Sequence, residues 1–173
     1  LSMWKRIGNL FSKPAPQEVQ KSMLNLSPGD ICEVSLVTYE VTGRTHNRGR
    51  NAVVLTLRDG SQIAYLHIEE REQLQYGLYR PIDGRLDNPA EVPATLELDG
   101  YTFFLEEEYE GFVAVAGQTP FMNGGEQHVW QYQSDDSRLL RVEWQHGRFM
   151  LYEGEKIIPG DVKVIRASRL VEK

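Results

Sequence analysis

The 173 residues hold a single cysteine, Cys32. That excludes an internal disulfide framework and a four-thiolate zinc site. No apolar run approaches the roughly 20 residues of a membrane-crossing helix, nor the apolar core of about 7–15 residues that an export signal carries. The expectation is a cytoplasmic protein. Between Ala94 and Gln133 there is no lysine or arginine, and the net charge is −6. Such a chain has no general phosphate-tracking surface, so nucleic acid is not expected as a partner. There is no phosphate-cradling glycine loop, no nucleophile elbow and no dinucleotide fingerprint, so neither a cofactor nor a catalytic residue is expected. His67, His128 and His146 stand in no recognised ligand spacing, so no metal site is expected either. At 40% hydrophobic and 25% charged residues the composition is that of a globular domain.

The charge is unevenly placed. Residues 3–21 carry +3 and the remaining body −9. Leu1 and Ser2 precede Met3 and read as an expression remnant. Trp4, Ile7 and Phe11 follow at helical spacing, with Lys5 and Arg6 off that stripe. This pattern predicts a short basic, aromatic, amphipathic helix, ended by Pro14 and Pro16. Residues 3–13 could rest on an anionic membrane surface at its inner face or dock on a partner protein. The alternatives are a helix folded back on the body, or a frayed terminus.

From Leu24 onward the dominant period is two. Ile31–Leu36, Tyr39–Gly43, Ala52–Arg58 and Gln62–Ile68 are β-rich, and Asp59-Gly60 and Asp99-Gly100 are hairpin signals. The second half repeats the layout. Tyr39–Gly43 aligns with Val113–Gly117 at an offset of 74, and Val53–Asp59 with Val129–Asp135 at an offset of 76. Glu69–Leu78 is the one body segment where helix competes. Residues 79–93, rich in Pro, Gly, Asp and Asn, read as the connecting loop. The expected architecture is mainly β: two related antiparallel β units, barrel-like or sandwich-like, formed by internal duplication and packed together, plus the N-terminal helix. The boundaries are 1–23 for remnant, helix and linker, 24–80 for the first unit, 81–93 for the connection and 94–173 for the second unit.

Several segments together resemble a known family. They are Leu-Ser-Pro-Gly-Asp-Ile at 26–31, Tyr39–Gly43, the acidic hairpin exit His67–Glu69, Gly100-Tyr101-x-Phe103 through Glu110, Gly117-x-x-Pro120, Leu140-x-Val142-Glu143 and Tyr152-x-Gly154. In order and spacing they resemble the bacterial domain-of-unknown-function family 4178, over about residues 25–166. One departure is Leu66, where the family pattern has a Trp-Leu pair; Tyr65 stands in the aromatic place. The resemblance implies a cytoplasmic accessory protein, acting near a phage-shock-type membrane-stress protein and sometimes near an aminopropyltransferase-like enzyme. It carries over no catalytic residue.

Three loops or strands could carry function. Arg44, His46, Arg48 and Arg50 form the one basic cluster of the body, with the donor geometry to bind an anion; a merely solvated loop is the alternative. Phe121 and Met122 top a flexible Asn-Gly-Gly loop suited to protein contact. Glu106, Glu107, Glu108 and Glu110 lie along one strand, so at least two share a face. The functional expectation is a non-catalytic adaptor or binding module in a membrane-stress-associated complex, with a protein partner. The alternatives are an anion or small-ligand module using loop 44–51, and an accessory subunit of a modification enzyme with a cleft lined by groups such as Glu108, His128 and Arg44. Oligomeric state is not legible.

Overall fold

The computed structural model describes residues 18–19, 21–168 and 170–171, and the helix expected over 3–13 lies outside them. Among the described residues the regular structure is strand with four single 3-10 turns. The strands are β1 (Glu18–Val19), β2 (Ile31–Val34), β3 (Val37–Asn47), β4 (Ala52–Asp59), β5 (Gln62–Glu70), β6 (Leu74–Ile82), β7 (Thr95–Leu98), β8 (Tyr101–Gly117), β9 (Gly125–Ser134), β10 (Arg138–Gln145), β11 (Arg148–Ile157), β12 (Val162–Arg166) and β13 (Leu170–Val171). The segment Glu69–Leu78 is not helical: β5 runs to Glu70 and β6 begins at Leu74. Nor does the connecting loop begin at Tyr79, because β6 continues to Ile82. Local helix preference is weak, and pairing with β11 outweighs it.

Eleven strands form one antiparallel sheet, and a further pairing between β3 and β8 closes eight of them into a ring in the order β3-β4-β5-β6-β11-β10-β9-β8. Two seams join the halves: β6 with β11, and β3 with β8. Gly43 pairs with Gly117 in the second seam. A Cβ on Gly43 would collide with the Gln118 carbonyl oxygen and one on Gly117 with that of Thr42, and Gly117 has φ +71°. Only glycine permits this approach. Val113–Gly117, expected to be the equivalent of Tyr39–Gly43, lies across the seam from Gly43–Asn47, and the two segments meet only at Gly43 and Gly117.

A different correspondence holds in the registers. Ile31 pairs with Glu40 and Thr95 with Phe104, the same pairing displaced by 64 residues. The hydrogen bonds Val41 N–H to Asp30 O and Leu105 N–H to Ala94 O match at that same displacement. Each long strand then carries a bulge, between Val41 and Gly43 in β3 and between Leu105 and Glu107 in β8. A bulge inserts one residue and so exchanges the two faces of the strand. Before it, Tyr39 and Val41, or Phe103 and Leu105, face an apolar core. Beyond it, Thr45 and Asn47, or Tyr109 and Val113, face into the ring.

The apolar cores consequently lie outside the ring. One gathers Leu55, Leu57, Leu66 and Ile68 under β2 and β12, the other Trp130, Tyr132, Leu140 and Val142 under β7 and the 82–92 segment. Side chains cross between the halves: Ile157, Val162, Val164 and Ala167 pack on the first core, while Ile82 packs on the second.

Candidate functional site

With both cores outside, the ring encloses the polar faces of the two halves. On β5 the apolar Ala64, Leu66 and Ile68 turn to the first core, which sends Tyr65, His67 and Glu69 inward. On β10 Leu140 and Val142 turn to the second core, which sends Arg141, Glu143 and Gln145 inward. Strict alternation of a strand leaves no other choice.

Arg141 Nε donates to Glu143 Oε2 at 2.7 Å, with both side chains buried, and Arg141 Nη1 donates to the Tyr109 hydroxyl at 3.3 Å. Desolvation works against the Arg141 charge, but Tyr109 and Glu143 outweigh it and hold the guanidinium above its ordinary pKa. Gln127 Nε2 donates to Gln145 Oε1 at 3.3 Å, and Gln145 Nε2 to Asn123 O at 2.7 Å. Tyr65 and Tyr152 meet edge to face at 5.3 Å. Burial pushes the Tyr79 hydroxyl up to about 12. Burial, followed by the nearby Glu143 carboxylate, raises Tyr152 further in the same direction. His67 is held well below its ordinary value, first by desolvation and then by Arg141, Arg50 and Arg71, so its imidazole is neutral.

Two of these groups have no well-formed hydrogen bond among the described residues: His67 Nε2 and the Tyr152 hydroxyl. Glu143 lies beside Tyr152 and raises it both by its charge and as its nearest hydrogen-bond acceptor, although no well-formed bond joins the two. An unpaired buried polar atom costs about 1–3 kcal/mol. Both residues border a chamber of about 10 Å³, room for roughly one water molecule. His67 and Tyr79 also line an open cleft of about 460 Å³ between the two halves. His67 is half-buried and borders both spaces. A larger groove of about 730 Å³ lies beside Arg80, Arg138 and Glu155, but no unpaired buried atom faces it.

The residues expected from sequence are divided by this geometry. Arg44 and His46 sit two apart on β3, on its outer face; Arg44 Nη2 donates to Leu24 O at 3.0 Å, and its buried Nε has no partner. Desolvation, then Arg44 and Arg48, lower His46. Arg48 is exposed in the 3-10 turn Arg48–Arg50. Arg50 faces the opposite way: its Nε donates to Glu69 Oε1 at 3.1 Å, it pairs with Glu107, and its guanidinium lies 3.7 Å from the Tyr109 ring centre. Arg71 joins Glu69 and Glu107 in the same network at the cleft rim. The four basic residues therefore do not all converge: Arg44 and His46 share the outer face of β3, and the 3-10 turn Arg48–Arg50 carries Arg50 to the other side.

Phe121 is buried rather than exposed, 7% accessible, because it closes the chamber wall; Met122 beside it is 86% exposed. Glu108 and Glu110 flank His128 on the outer face, with His128 Nε2 2.9 Å from Glu108 Oε1, while Glu107 turns inward. Arg44 reaches instead toward Leu24, so the trio Glu108, His128 and Arg44 is not assembled. Cys32 lies in the first core, where burial pushes its thiol up to about 12. Among the described residues no three His, Cys, Asp or Glu side chains are grouped as metal ligands, and no helix is long and apolar enough to cross a membrane.

A family model described as "Domain of unknown function (DUF4178)" matches residues 27–159. The chain belongs to this family. The matched span contains the eight ring strands and the interior they enclose, from Thr45 to Tyr152. In this DUF4178 chain, sequence reasoning missed Arg141, Tyr79, Tyr152 and the gathering of His67 with them around one chamber. The available signal was the alternation of β5 and β10, whose polar residues read equally well as solvent-facing. No curated protein and no solved structure matches the chain.

Proposed function

We propose that the chain is a non-catalytic binding module made from a duplicated β unit, with its working site in the cleft between the two copies. The observation that carries this reading is the 460 Å³ cleft, which shares His67 and Tyr79 with a chamber edged by unpaired polar atoms. Sites of this size and polarity at the junction of two units are where small ligands bind. The common register of β2–β3 and β7–β8 at a displacement of 64 supports the duplication. To test the site, chain purified from its native cell is denatured and the released small molecules are identified. A compound retained by the native chain and lost from Gln133→Trp, a substitution on the cleft wall, supports the reading. A compound retained equally by the variant, or none retained by the native chain, defeats it.

A second reading, an adaptor in a membrane-stress-associated complex, is favoured by the +3 charge of residues 3–21 against the −9 of the body and by the exposure of Met122 and Leu36. In this reading residues 3–13 contact anionic lipid and the body contacts a protein partner at the cytoplasmic face. Co-sedimentation with anionic liposomes, comparing the full chain with one starting at Lys21, tests the membrane part; equal recovery of both in the supernatant would rule it out.

A further inference from the structure

The cleft shares His67 and Tyr79 with a chamber whose own charges are paired with one another. Arg141 and Glu143 are each other's partners at 2.7 Å, and both are at least 95% buried. At the rim Arg50 and Arg71 are matched by Glu69 and Glu107. A charged group entering the chamber would be stripped of water and left without a counter-ion, because an anion meets Glu143 and a cation meets Arg141. A neutral group meets no such penalty. It finds two atoms short of a partner, His67 Nε2 and the Tyr152 hydroxyl, the latter on a side chain 2% exposed. Tyr152 can donate or accept, and the neutral imidazole nitrogen does one or the other according to tautomer. A group that both donates and accepts suits either case. A chamber of about 10 Å³ admits one group of roughly water size. The remainder of the ligand must then lie in the cleft, past the His67 and Tyr79 walls common to both spaces. The cleft offers it the uncharged amides of Gln73, Gln75, Gln131 and Gln133.

Resting on the cleft being the ligand site, we propose that its inner end recognises the uncharged terminal hydroxyl or amide –NH2 of the ligand through His67 and Tyr152, with the rest of that group lying in the cleft, and rejects carboxylates and ammonium groups. The probes are acetamide, acetate and methylammonium, titrated into the full chain while the histidine ring nitrogens are followed by NMR. His67 is assigned by its loss in His67→Gln. The expected result is a saturable shift of the His67 ring signals with acetamide and none with acetate or methylammonium. Tyr152→Phe weakens the acetamide response about tenfold, the cost of one hydrogen bond. A response to acetate equal to that of acetamide overturns the proposal. So does no response to any probe, which is the outcome for a chamber that holds an ordered water alone. The acetamide–acetate contrast on the unmodified chain stands even if Tyr152→Phe does not fold. If a charged compound is recovered from the native chain and lost in Gln133→Trp while acetamide fails, this proposal falls and the cleft reading stands.

Discussion

His67 shows how position changes a residue's chemistry. On the sequence it is one of four histidines, two residues before Glu69. In the fold it is enclosed, has an unpaired Nε2, and is neutral because desolvation and then Arg141, Arg50 and Arg71 oppose its protonation. The unfolded chain takes up this proton near about pH 6.5, the folded chain only well below that. Between those two values the unfolded state holds the extra proton. The contribution of His67 is therefore complete above about pH 6.5 and is lost as the pH falls, by at most about 1.4 kcal/mol per unit. Urea unfolding between about pH 7.5 and 5 checks this. The native chain should lose stability faster over that window than His67→Gln. Parallel pH dependence of the two would show that His67 titrates alike in both states. Arg50 gives the complementary lesson: its charge is plain in the sequence, but its pairing with Glu69 and Glu107 is not.

Strands and turns were more readable. The alternating runs at 39–43, 52–58 and 62–68 are all strand, and Asp99-Gly100 has both residues at positive φ, as a type I′ hairpin requires. At Asp59-Gly60 only Gly60 does, because the two-residue loop is Gly60-Ser61 and Asp59 still pairs with Gln62. The β2–β3 turn is the hidden one. Ser35 and Leu36 adopt φ of 48° and 68° with no glycine to signal it, so the sequence reads as one strand through Leu36. Leu36 is 90% exposed, so its side chain holds nothing in place, while its backbone conformation is strained. Leu36→Gly should raise stability by about 0.5–1 kcal/mol in urea unfolding at unchanged slope. A loss of stability would mean that the Leu36 side chain contributes packing after all. Both bulges were equally hidden, since one added residue alters no composition, yet each decides which side chains of β3 and β8 enter the ring.

The two cores are separate in space but not independent. Ile157, Val162 and Val164 from late in the chain complete the first, and two seams join the halves into a ring. Unfolding should be cooperative across both. Leu55→Ala in the first core should cost about 2–5 kcal/mol. Measured in a Trp4→Phe background, the fluorescence of Trp130 and Trp144, both in the second core, should shift its midpoint together with far-UV circular dichroism. A fluorescence transition left in place would mean that the halves unfold separately. The candidate site depends on this joining, because His67 and Tyr79 come from one half and Arg141, Glu143 and Tyr152 from the other.

Strand identity, most turns and the division of each strand into a polar and an apolar face follow from the order of residues, because alternation is a local property of an extended chain. Which polar face is enclosed and which meets solvent does not follow. That choice is made by the β3–β8 and β6–β11 pairings, whose partners lie far apart in sequence. Those seams are held by backbone hydrogen bonds that every residue type can make, and by glycines admitted where chains approach closely. A local pattern carries no record of them. The polar residues that alternation marks as surface become, once the ring closes, the lining of its interior.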